Sequence, residues 1–144
     1  SLGEAYRMMN RLDEAKPALE KSLAQMPLND RVLQYLAAIE QINGNLDQSV
    51  EYWKKAIEVN PLNGSFRQAY GTLLAQRGDW KGAAEQAKVW VQLEPNRSSA
   101  HQLWILSLLE QGQRKEAREA FETLRKLKPV NLTELELWFR RRGG

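Results

Sequence analysis

Residues 29–63 read NDRVLQYLAAIEQINGNLDQSVEYWKKAIEVNPLN, and the periods inside this stretch decide the fold. Val32, Leu33, Leu36 and Ile39 recur at helical spacing and stop at Asn43-Gly44-Asn45. A second stripe, Leu46, Val50, Trp53, Ile57 and Val59, stops at Asn60-Pro61. Apolar residues three or four apart share one face of an α-helix, so the stretch predicts helix, tight turn, helix, turn. Asparagine and glycine tolerate the left-handed backbone that ends a helix. Proline lacks an N–H and disfavours helix in the residue before it, so the second helix stops there. Asn45 and Asp79 stand where each would cap the following helix, and Asn45 with Gln48 approximates a capping box. No strand-like alternation is visible anywhere in the chain.

The same punctuation extends outward at a fixed interval. Pro27, Pro61, Pro95 and Pro129 are 34 residues apart, and so are Gly44, Gly78 and Gly112, with Asn10 in the corresponding earlier place. The chain therefore divides into a partial first unit over 1–29, three full units over 30–63, 64–97 and 98–131, and a terminal helix over 132–144. In the first unit, residues 1–9 represent the second half of a first helix, so Leu2 and Tyr6 are expected to lack upstream cover. Pro17 falls inside that unit's second helix and is expected to kink or loosen it. After Pro129, Thr133 with Glu136 offers a further capping box for a helix running to about residue 141. Leu132, Leu135, Trp138 and Phe139 lie on one side of it. It reads as a capping helix, or alternatively as the first helix of a fifth unit.

These residues and this period resemble the tetratricopeptide-repeat (TPR) family, whose pattern runs Trp, Leu-Gly, Tyr, then Ala, Phe, Ala and Pro. With the proline as position 32, position 7 holds Leu2, Leu36, Tyr70 and Trp104, and position 8 holds Gly3, Ala37, Gly71 and Ile105. Position 20 holds Ala15, Ser49, Ala83 and Ala117, position 24 Leu19, Trp53, Ala87 and Phe121, and position 27 Ser22, Ala56, Trp90 and Leu124. The resemblance implies an all-α, right-handed solenoid of antiparallel helix pairs, cut from a longer protein. Small residues at positions 8 and 20 let helices approach, and large ones at 7 and 24 fill the space between neighbours. The departures are Ile105 and Leu124, which predict looser or shifted packing in the last unit. Trp90 beside Ala87 is an exchange of volume within one helix.

Composition narrows the function classes. With 42% hydrophobic and 27% charged residues, the chain is neither a disordered tail nor a membrane protein, and no apolar run is long enough for membrane insertion. Zero cysteines exclude disulfides and thiolate metal sites without fixing a compartment. Residues 1–63 carry 7 Lys/Arg against 9 Asp/Glu, and residues 64–144 carry 14 against 9. Most of the excess cations sit on outward helix faces, including Arg114, Lys115, Arg118, Arg125 and Lys126. Arg140-Arg141-Arg142 end a helix, where they suit its dipole. Solvated faces are therefore favoured over a nucleic-acid patch. The single histidine, His101, reads as a partly buried helix residue rather than a catalytic one, and no phosphate-cradling loop exists. Neither a cofactor nor a resident metal is expected. The tryptophans fall at packing positions or, for Trp80, at the start of a second helix.

Binding rather than catalysis is the expected function. In TPR proteins the first helices of successive units line a concave groove that takes peptides, through positions 2, 5, 9 and 12. That resemblance assigns Arg31, Gln34, Ala38 and Gln41 in one unit, Ser65, Gln68, Thr72 and Ala75 in the next, and Ser99, Gln102, Leu106 and Leu109 in the last. Glu4 and Arg7 are the counterparts in the first unit. Gln34, Gln68 and Gln102 offer paired donors and acceptors suited to an extended peptide backbone, with an apolar anchor at Leu106 and Leu109. The Lys and Asn carboxylate clamp of chaperone-binding relatives is missing, since Gln34 stands with Ala38 and Gln68 with Thr72. The expected partner is a protein or peptide. The alternative is self-association through exposed solenoid ends, or docking within a larger protein, as an accessory to an enzyme domain or otherwise.

Overall fold

The computed structural model describes residues 2–144, with side chains described for Arg11 and for 13–144. The expectations for Leu2, Gly3, Glu4, Tyr6 and Arg7 therefore lie outside the described side chains. Among the described residues there are eight helices and no strand: α1 (Leu2–Gln25), α2 (Asp30–Ile42), α3 (Leu46–Val59), α4 (Gly64–Gln76), α5 (Trp80–Leu93), α6 (Ser98–Glu110), α7 (Arg114–Lys126) and α8 (Leu132–Arg141). The chain is thus all-α, as its periodicity predicts. It forms two compact units, up to Phe66 and from Arg67 onward.

The turns repeat one backbone design. Gly44, Gly78 and Gly112 have φ of +81, +79 and +76, and an added Cβ would meet nothing within 4 Å at any of them. Each turn closes with the same two bonds, for example Gly44 N to Gln41 O at 3.2 Å and Asn45 N to Glu40 O at 2.8 Å. That pairing satisfies the last carbonyls of the helix. Gly143 repeats it at the end of α8, with φ +91 and bonds to Arg140 O and, from Gly144 N, to Phe139 O. At Asn10 there is no such turn, and α1 runs unbroken for 24 residues with Pro17 inside it. Asparagine in the left-handed region is less favourable than glycine, so continuing the helix through Asn10 wins locally.

The N-terminal unit packs α1 and α3 on α2. Leu33, Leu36, Ala37, Ile39 and Ala56 are 0–1% exposed, and the Trp53 and Phe66 rings meet at 5.8 Å between centroids. Ser49 takes a small-residue position and donates its hydroxyl to Ala37 O at 2.7 Å, pinning α3 to α2. The side chain of Asn29 accepts from Val32 N, and that of Asn63 from Phe66 N, so the Pro-Leu-Asn junctions cap α2 and α4. Asn45 does not cap α3, contrary to expectation. Its Nδ2 instead donates to Glu40 at 2.7 Å, and in the orientation this charge-assisted bond fixes the side-chain oxygen accepts nothing from the first turn of α3.

The C-terminal unit contains most of α4 and all of α5 to α8. Asp79 does cap its helix, accepting from Gly82 N at 3.0 Å. Gly71 is buried where a Cβ would stand 3.2 Å from Gln86 Cβ and from Leu103 Cδ2, a close approach. Trp90 is buried beside Ala87 and donates its indole N–H to Glu94 at 2.6 Å. Ile105 and Leu124 are both 0% exposed, in a cluster completed by Phe121, Leu135 and Phe139. The looser packing expected there does not appear as exposure, since α8 supplies side chains that fill the space. The N-cap of α8 is Asn131, so Thr133 lies within the helix and forms no capping box, while Glu136 pairs with Arg125.

Candidate functional site

The residues assigned to recognition lie on first helices, and each unit holds its own set. On α2 of the N-terminal unit, Arg31 is exposed, while Gln34, Ala38 and Gln41 are half-buried. Ser65, exposed, opens α4. In the C-terminal unit, Gln68, Thr72 and Ser99 are exposed, whereas Gln102, Leu106 and Leu109 are half-buried on α6. Leu109 rests against the cluster of Ile105 and Phe121, so part of the expected apolar anchor is already used in packing. Among the described residues, the side chains of Gln34, Gln68 and Gln102 form no hydrogen bond, leaving three amides open to a ligand or to water.

Sequence reasoning missed two neighbours. Tyr35 and Ile42 are 54% and 48% exposed, seven residues apart and so on one face of α2. By residue type they resemble core, and only their offset from the Val32-Leu36-Ile39 stripe distinguishes them.

The charged groups nearby are structural. Lys16 on α1 pairs with Glu40, whose second oxygen accepts from Asn45. Burial alone pushes the Glu40 carboxyl up, but the bonds from Lys16 and Asn45 outweigh it and hold it below the usual carboxylate range. The same bond to Glu40 raises Lys16. Tyr52, beside this pair, is raised by its own burial and by Glu20 and Glu40. Glu94 is lowered by the Trp90 indole N–H and by Arg97. His101 is 1% exposed, more deeply buried than expected, with Nε2 2.7 Å from Pro95 O and Nδ1 without a partner. That geometry requires the proton on Nε2, which donates to the carbonyl. Trp53 and Trp90 are buried, and Trp104 and Trp138 pack on the C-terminal cluster, in line with their core assignment. Among the described residues no helix is long and apolar enough to cross a membrane.

Models of the tetratricopeptide repeat match residues 42–98 and residues 1–25. No curated protein sequence matches at a significant level. Among solved structures, MamA AMB-1 is 29% identical over 94% of this chain and 74% of its own, with a TM-score of 0.74. MamA MSR-1 is 27% identical over 85% of this chain and 71% of its own, with a TM-score of 0.67. A further MamA crystal structure, 19% identical, covers 99% of this chain and 88% of its own with a TM-score of 0.72, a likeness of fold alone.

Proposed function

The chain belongs to the tetratricopeptide-repeat family of protein-interaction scaffolds, and from that premise we propose that it binds a protein or peptide segment through the solvent faces of its first helices. In the family those faces line a concave groove. The observation that carries the reading is that Gln34, Gln68 and Gln102, at the same position of each complete repeat, keep their side-chain amides open. A peptide backbone presents alternating N–H and C=O groups, and a primary amide can donate to one and accept from the other. On α2, Arg31, Ala38 and Gln41 accompany Gln34, and Ser65 opens α4; in the C-terminal unit Thr72 accompanies Gln68, and Ser99 accompanies Gln102 with the exposed edges of Leu106 and Leu109. Tyr35 and Ile42 add accessible apolar surface on α2.

The test is retention of a partner from the source organism's lysate by wild type beside the variant Q34A/Q68A/Q102A, with circular dichroism as a folding control. A partner held by wild type and lost by the folded variant supports the reading. A partner held equally by both removes the amides from the mechanism. In that case a concentration series by light scattering tests self-association as the next account.

A further inference from the structure

The second helix of the last repeat and the helix after it enclose a cleft, in which Glu136 and Arg140 stand one repeat beyond Gln102 and Leu106. Its volume is about 410 Å³, between α7 and α8. Phe121 and Phe139 form its floor, stacked at 4.3 Å with an interplanar angle of 1°. Three guanidinium groups line it: Arg118, Arg125 and Arg140. Arg125 is occupied, pairing with Glu122 at 3.4 Å and with Glu136 at 3.5 Å. Those are the two acidic side chains lining the cleft, beside Gly144, and one arginine holds both. Arg118 and Arg140 have no acidic partner among the described residues. The surroundings add positive charge, since residues 114–144 carry nine Lys/Arg against five Asp/Glu.

We propose that this cleft docks an acidic peptide segment of a partner protein, its carboxylates on Arg118 and Arg140 and an apolar side chain between them over the phenyl floor. Arginine presents a planar fork that takes a carboxylate through two parallel bonds, and it is less strongly hydrated than lysine. The fixed carboxylates of Glu122 and Glu136 select against a continuous polyanion. A nucleic-acid strand, charged at every phosphate, would be forced past them, whereas a peptide can space its acids to avoid them.

The probe is a fluorescein-labelled peptide alternating Glu with Leu and Phe, followed by anisotropy against the full chain. The same peptide with Lys for Glu is the charge control. R118E/R140E is expected to weaken binding by about tenfold or more, with R118Q/R140Q showing a smaller loss if the reversed variant is unstable. K81E/K88E changes net charge equally at two exposed lysines on α5, and is expected to leave affinity within about twofold. Loss of the peptide in Q34A/Q68A/Q102A with retention in R118E/R140E would place its binding on the glutamines and overturn the proposal. The proposal is overturned if wild type does not bind the acidic peptide, if both charge-reversal variants lose equally, or if the Lys peptide binds as well. Duplex DNA that binds more tightly than the peptide and is lost in R118E/R140E would also overturn it, assigning the arginines to phosphate.

Discussion

Lys16 on α1 places its Nζ 2.5 Å from Oε1 of Glu40 on α2, a carboxylate whose side chain is only 3% exposed. At the corresponding places one and two repeats later stand Leu74 and Leu108, both 6% exposed. The core slot of α2 thus holds a charge where its counterparts hold a hydrocarbon, and Lys16 with Asn45 makes that tolerable. Removing the lysine alone, Lys16→Ala, is expected to destabilise the N-terminal unit by about 2 kcal/mol, because an unpaired buried carboxylate remains. The combined change K16M/E40L is expected to recover most of that loss, since the slot accepts leucine elsewhere. Urea denaturation of the three proteins decides it.

The same pair gives stability two pH limbs. Glu40 is lowered in the folded state, so its contribution is fully present above the ordinary carboxylate value of about 4.3 and is lost as pH falls through the folded value. Lys16 is raised, so its contribution is present below about 10.4 and is lost as pH rises through the folded value. The difference in urea midpoint between wild type and K16M/E40L should therefore change in wild type's disfavour below about pH 4 and above about pH 10. A difference that stays constant across both windows would show that the pair contributes no linkage.

At the repeat turns, Gly78→Ala is expected to lower stability by about 1 kcal/mol through backbone strain alone, because space for the methyl group is open. Gly71→Ala acts by a different route. Its backbone is helical and favours alanine, but the new Cβ crowds Gln86 and Leu103, so a net loss of about 1–2 kcal/mol is expected. Thermal melts of the two variants should fall together in size, while only the second is relieved by trimming Leu103 to alanine.

His101→Ala is expected to destabilise the C-terminal unit by about 2–4 kcal/mol, combining a cavity with the loss of the bond to the Pro95 carbonyl. Calorimetry on the purified variant gives the number. A change under about 0.5 kcal/mol would mean the burial of His101 contributes little to that unit.

Much of this architecture was legible before any coordinates. Helices α2, α4, α6 and α8 start at 30, 64, 98 and 132, and α3, α5 and α7 at 46, 80 and 114, each 34 apart like the prolines and glycines. Period alone supplies that. Individual polar partners were not legible, because they depend on which groups tertiary packing brings within reach. Asn45 and Asp79 occupy equivalent places, yet Asp79 caps its helix and Asn45 turns to Glu40. Asn29 and Asn63, each two residues after a repeated proline, had no assigned role and prove to be caps. Similarly, the apolar character of Tyr35 and Ile42 pointed to core, and only their exposure places them among candidate contacts. That Gln34, Gln68 and Gln102 hold equivalent positions on first helices could be read from register.

The backbone bonds that close the turns at Gly44, Gly78 and Gly112 all return to the helix that each turn ends, within a few residues of chain. A 34-residue segment beginning and ending at equivalent turns therefore carries its own instructions for bending. Unequal recombination between two such points would delete or duplicate a whole helix pair in frame without rewriting the junction. The inheritance of these proteins can thus proceed by cassettes, with array length changing in one genetic step while surface residues on each cassette diverge independently.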